Sequence, residues 1–148
     1  MNLKRYPYRI SGNNLDFHFE SEGPNGKVSK LIRYSPDNEQ GTTYFNLAFG
    51  DYDPVTGNLN DSSRTNNRDL DMILATIASS VLEFTAYFPD AIVYAEGSTE
   101  SRTRLYQMAI SANLSQIKRY LHVFGLLGEV WEPFRKNITY SAFFVKRK

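Results

Sequence analysis

The sequence predicts an α+β fold, a mostly antiparallel sheet with two or three helices packed on one face, and three patterns carry that prediction. First, Leu15, Phe17 and Phe19 alternate with Asp16, His18 and Glu20, the period-two pattern of a half-buried strand. Second, Leu70, Ile73, Leu74, Ile77, Val81, Phe84 and Phe88 recur at helical spacing, giving one apolar face. Third, the patterns run in the order strands, helix, one strand, helices, strands, which implies α+β with a mostly antiparallel sheet.

Each element follows in order. A short strand around Tyr8 to Ile10 precedes a hairpin over 15–34, whose turn chemistry is Glu22-Gly23-Pro24-Asn25-Gly26. Ser35 to Gly41, with Pro36, reads as a polar loop. Phe45, Leu47 and Phe49 alternate with Tyr44, Asn46 and Ala48 as a further strand. Gly50 to Asn67 reads as a long polar loop, a length more common in functional segments than in simple connections. The helix over 70–88 has Asp69 and Asp71 at its positive end and Pro89 as its stop. Ala91 to Ala95 is a short apolar strand. A second helix begins at Ser98 or Thr99 and runs to about Ala112, with Leu105, Met108, Ala109 and Ala112 as its buried stripe. A short third helix uses Leu114, Ile117 and Leu121. His122 to Leu127 and Thr139 to Lys146 complete the strands. With no repeat or linker, residues 1–148 read as a single domain.

Composition bounds the function. The chain has 148 residues, 41% hydrophobic and 22% charged, the profile of an ordinary folded domain. It has no Cys, which excludes disulfides, thiolate metal sites and a Cys nucleophile. No apolar run approaches the roughly 18 residues of a membrane span, and the first residues lack the apolar segment of a secretory signal. The expectation is a cytoplasmic protein without a membrane partner. The net charge of +1 conceals an asymmetry: residues 1–112 carry 10 basic and 14 acidic side chains, whereas 113–148 carry 7 and 2. Lys4, Arg5 and Arg9 at one end and Lys146, Arg147 and Lys148 at the other are the basic clusters, read as solubilising charge or as seats for anionic partners.

Two stretches carry a resemblance. One is Asn66-Asn67-Arg68-Asp69 leading into Ile73-Leu74-Ala75-Thr76-Ile77-Ala78. The other is Gly97-Ser98-Thr99 followed by Arg102-Thr103-Arg104-Leu105-Tyr106-Gln107-Met108. With Phe49-Gly50-Asp51, Trp131-Glu132-Pro133-Phe134 and Tyr140-Ser141-Ala142-Phe143, the chain resembles a family of uncharacterised bacterial proteins of Bacteroidetes type, classed as a domain of unknown function. The resemblance covers about residues 40–148. It implies a bacterial, cytoplasmic, single-domain protein and brings no activity, cofactor or site.

The residues themselves point to one candidate site, the strand–turn–helix at 95–106. Gly97 permits tight backbone geometry, Ser98 or Thr99 can cap the helix, and the N–H groups that follow can hold an anion. Arg102 opposes the helix dipole there and needs an offset, either Glu96 or Glu100 within the fold or an external phosphate. Tyr106, one turn on, could stack on a base. Gly97, Ser98, Thr99, Arg102 and Tyr106 are therefore the candidate ligand-binding residues, for a phosphate-bearing ligand or nucleic acid. The alternative is a protein-interaction or homo-oligomeric domain using a Tyr-rich sheet surface, since the chain holds 10 Tyr and Tyr is favoured at interfaces. A phosphoester-cleaving enzyme, with His18 or an acid as base, is the weaker alternative, because no catalytic motif is present and a non-enzyme is favoured. No cofactor or metal is expected: counted from Asp51, the loop has Thr56 and Ser62 where an EF-hand needs Gly and Glu.

Overall fold

A computed structural model describes residues 4–61 and 67–148. Asn66 of the resemblance and the 62–66 part of the long loop lie outside these described residues. The elements run β1 (Arg9–Ile10), β2 (Asp16–Gly23), β3 (Gly26–Glu39), β4 (Thr42–Tyr52), β5 (Leu59–Asn60), α1 (Leu70–Tyr87), β6 (Ile92–Ala95), α2 (Glu100–Ala112), α3 (Leu114–Ile117), β7 (Leu121–Leu127), β8 (Val130–Pro133) and β9 (Phe143–Arg147). The strands join in the order β1-β2-β3-β4-β6-β9-β7-β8, with β5 also on β4. All pairings are antiparallel except β4 with β6, which α1 connects as a crossover. The fold is α+β, as the three patterns predict.

α1 matches its expected span and buries Ile73, Leu74, Ile77 and Phe84. Its 18 residues, of mean hydropathy 1.3, are long and apolar enough to cross a membrane, yet 61% of them are buried inside the protein. They meet Phe17, Phe19, Ile32, Tyr34, Leu47 and Phe49 from one side of β2, β3 and β4. Tyr34 and Phe84 stack at 4.0 Å and 6°, and the Tyr34 hydroxyl is 2.7 Å from Ser80 Oγ.

Four expectations need correction. Residues 35–39 are not a loop: β3 continues to Glu39, and Pro36 pairs with Phe45. Beyond Arg33 the strand has lost its β2 neighbour, and proline is tolerated where only one side is paired. Gln40 and Gly41, at φ 51° and 81°, then form a two-residue hairpin turn. The 50–67 segment also contains strand. Gly57, at φ 75°, donates to the Asp53 carbonyl at 2.7 Å, and the chain folds back so that Leu59 and Asn60 pair with Tyr52 and Asp51. The α2 stripe is rotated: Thr103, Tyr106, Ala109 and Ile110 are buried, while Ala112 is exposed. Leu121 opens β7 rather than extending the third helix, and β8 had no sequence signal strong enough to mark it.

Candidate functional site

The turn at 95–106 is built by interactions between its side chains and nearby backbone. Thr99 is the α2 cap, its Oγ1 accepting from the Arg102 N–H at 3.2 Å. Gly97 donates its N–H to Thr103 Oγ1 at 2.9 Å. A Cβ on Gly97 would fall 2.4 Å from the Thr103 nitrogen and 2.5 Å from Arg102 Cβ, so only glycine lets the turn fold this closely onto the helix. Ser98 is exposed beside them.

Arg102 finds neither of the acids expected for it. Its Nε donates to the Asp61 carbonyl at 2.8 Å, and its guanidinium lies 5.4 Å over the Phe49 ring. Glu96 instead accepts from the Tyr94 hydroxyl at 2.5 Å. Tyr106 is 3% exposed, and its hydroxyl accepts from the Phe49 N–H at 3.0 Å. Phe49 lies on β4 between the residues paired to β6 and those paired to β5. Tyr106 therefore fills a notch in the sheet edge that would otherwise leave a buried donor unpaired. Arg102→Ala removes a charge-assisted hydrogen bond and a ring contact, and it is expected to lower unfolding free energy by about 1–2 kcal/mol. Urea denaturation of the variant checks this.

The neighbouring motif residues are fastened in the same way. Gln107 donates to the Ile138 carbonyl and accepts from the Tyr140 N–H. Asn67 bonds the β2–β3 turn through Asn25 N and the Gly26 carbonyl. Asp69 accepts from Tyr6 and Ser21 hydroxyls at 2.6 and 2.5 Å. Burial, and then the bond to Asp69, raises the Tyr6 pKa.

Of the residues considered for catalysis, His18 packs edge-on against Tyr52 at 4.8 Å. Its pKa is lowered by burial and then by Arg9. It borders a groove of about 550 Å³ with Arg9, Glu20, Tyr52 and Pro54. His122 is exposed. Asp51 pairs with Lys30, and Asp53 caps its own turn through the Val55 N–H at 2.9 Å. Among the described residues no three His, Asp or Glu side chains converge as a metal site would require.

Sequence reasoning offered a Tyr-rich sheet surface but did not place it; what it missed is a row of mixed aromatic residues on the sheet face opposite the helices. Strand alternation puts Leu47, Val93, Val145 and Val123 in the core, so their neighbours point the other way. Asn46, Tyr94, Phe144, Phe124 and Pro133 form one cross-strand row over five strands. Trp131 and Tyr44 extend it. Tyr44 meets Tyr94 at 6.0 Å, Tyr94 meets Trp131 at 6.1 Å, Trp131 meets Phe144 at 4.9 Å and Phe144 stacks on Phe124 at 4.6 Å. None of these five rings belongs to the core cluster, and Trp131 is 38% exposed. One end of the row is acidic: Asp37 accepts from the Tyr44 hydroxyl at 3.2 Å, Glu96 holds Tyr94, and Glu39 acts on both tyrosines. Desolvation and then these carboxylates raise the pKa of both phenols. A signal was present in the sequence. Phe143-Phe144-Val145 and Val123-Phe124 are apolar at both strand parities, which a sheet covered on one side does not require.

No curated protein and no solved structure matches the chain. A family model described as a family of unknown function, DUF6934, matches residues 2–148, nearly the whole fold and all of the motif residues placed above, and the chain belongs to that family.

Proposed function

We propose that the protein is an interaction domain that docks a protein partner on the uncovered aromatic face of its sheet, the partner offering Lys or Arg beside apolar side chains. The observation that carries this reading is the row of five rings around Trp131. Contiguous apolar patches of this kind on a soluble fold mark interaction sites, and Tyr and Trp bury large areas at small entropic cost. The charge of the occupant follows from the rim. Asp37, Glu39 and Glu96 stand at one end of the row, so a basic segment is attracted and oriented there.

The chain has a single Trp, and it sits in this patch, so its fluorescence reports occupancy directly. Titration with a peptide alternating Lys with Tyr or Leu is expected to give a saturable blue shift that weakens as salt rises. Glu96→Lys should weaken that binding about tenfold or more by placing like charge at the rim, with the far-ultraviolet circular dichroism unchanged. Absence of a saturable shift, or equal binding by Glu96→Lys, defeats the reading. A shift that depends on protein concentration alone, with a matching rise in sedimentation mass, makes the occupant a second copy instead.

A further inference from the structure

We propose a second, separate site: the cleft between Arg5 and Arg147 binds a small phosphate-bearing ligand. Arg5 and Arg147 belong to the basic clusters at opposite ends of the sequence, and the fold brings them together on α1. The segment before β1 is tied to that helix by the Tyr6 N–H, which donates to Thr76 Oγ1 at 3.0 Å, and by Tyr8, whose hydroxyl donates to Glu83 at 2.6 Å. The end of β9 reaches the same side of α1, where Arg147 donates to the Leu82 carbonyl at 2.7 Å and to Thr85 Oγ1 at 3.2 Å. Between them lies a cleft of about 300 Å³ lined by Arg5, Ser79, Leu82, Glu83, Tyr120 and Arg147. That volume exceeds what a phosphate group needs.

The electrostatics of this cleft are unbalanced. Arg5 and Arg147 are both half-buried residues, and among the described residues neither forms an ion pair; the four ion pairs all lie elsewhere. The carboxylate in the cleft, Glu83, has one oxygen taken by Tyr8 and the other by Tyr87 at 3.0 Å. Each guanidinium lies over a ring, Arg5 at 4.2 Å over Tyr8 and Arg147 at 5.4 Å over Tyr120. Arg5 spends one N–H on the Tyr6 carbonyl, and Arg147 spends two on α1. Among the described residues most of their donors therefore remain for a ligand. Two guanidinium forks whose neighbouring carboxylate, Glu83, is engaged by two phenols rather than by either arginine can take a tetrahedral oxyanion through paired N–H bonds. Two cations face one carboxylate in the cleft, and a bound anion offsets the remaining positive charge.

The test uses the full chain and inorganic phosphate, with ionic strength held constant by sodium chloride and sodium acetate as the control. Phosphate is expected to shift the Arg5 and Arg147 side-chain Nε–H signals saturably in ¹H–¹⁵N spectra and to raise the melting temperature. Acetate should bind about tenfold more weakly. Arg5→Gln and Arg147→Gln should each weaken phosphate binding by about tenfold or more. Should Arg147→Gln fail to fold, Arg5→Gln decides alone, because among the described residues Arg5 holds no more than its neighbour's carbonyl and the Tyr8 ring. The proposal is overturned if phosphate gives no saturable shift, if acetate binds as well, or if folded Arg5→Gln binds phosphate like the parent. A merely structural Arg147 would lower stability on substitution and leave phosphate binding by the folded fraction unchanged.

Discussion

Ile77→Asp is expected to abolish the folded state. Ile77 is 3% exposed in the middle of α1, in the core cluster with Leu47, Tyr106 and Val145. A carboxylate there has no cationic partner, and burying an unpaired charge costs far more than the roughly 5–15 kcal/mol that stabilises a domain of this kind. The chain would neutralise the group or unfold, and unfolding is the lower-energy outcome for a group in the centre of the core. The readout is the loss of a cooperative thermal transition and of dispersed amide signals. Ile77→Val is the control: it keeps the apolar contact and is expected to cost about 0.5–1.5 kcal/mol. A soluble Ile77→Asp variant with the parental midpoint would mean that α1 presents its other face to the sheet.

The legible parts of the fold were those where a single pattern dominated. α1 could be read almost to the residue, because its apolar stripe runs for five turns and ends at Pro89. The β2–β3 hairpin was legible from its alternation and turn chemistry. α2 was harder, because its buried face includes Thr103 and Tyr106, residues whose polarity argues for exposure. Their hydroxyls are satisfied by Gly97 and Phe49, long-range or turn contacts that no periodicity encodes. Pro36 misled in the same way: its missing donor looks like a break until the one-sided pairing of that part of β3 is known. Leu59–Asn60 and Val130–Pro133 are too short for alternation to register.

The candidate surfaces were less legible than the fold. Each ring of the aromatic row comes from a strand far from its neighbours in sequence, and only the strand order aligns Tyr94, Phe144 and Phe124. The same holds for Arg5 and Arg147, which sit near opposite ends of the chain and meet on one helix. What the sequence did expose was the motif around Gly97 to Gln107, since its residues are close together. In the structure Gly97, Thr99, Arg102, Tyr106 and Gln107 all bond to backbone or to the turn itself. A dense local motif can thus specify how a helix is fastened to a sheet as readily as it specifies a ligand site. Both uses demand polar side chains at fixed spacing.

Phe84→Ala is expected to cost about 3–5 kcal/mol. Phe84 has no exposed surface and joins two aromatic contacts besides its stack on Tyr34: Phe45 meets it edge-on at 5.1 Å and Phe88 tilts against it at 5.0 Å. Truncation removes the ring from all of them and leaves a void bounded by rigid side chains, which close around it poorly. It also unseats Tyr34, whose hydroxyl is fully buried and depends on Ser80. A shifted ring would strand that hydroxyl and add to the loss. For a chain of this size the melting temperature should fall by about 10 °C or more, and the urea midpoint should drop without a change in slope. Phe84→Leu, which keeps most of the volume, should lose markedly less. Ser80→Ala in the Phe84→Ala background separates the two contributions: if Tyr34 has already lost its partner, the second substitution adds little, and the double-mutant cycle shows a coupling of about 0.5 kcal/mol or more. Strict additivity would mean that the Tyr34–Ser80 bond survives without the stack, and that the aromatic contacts alone account for the cost.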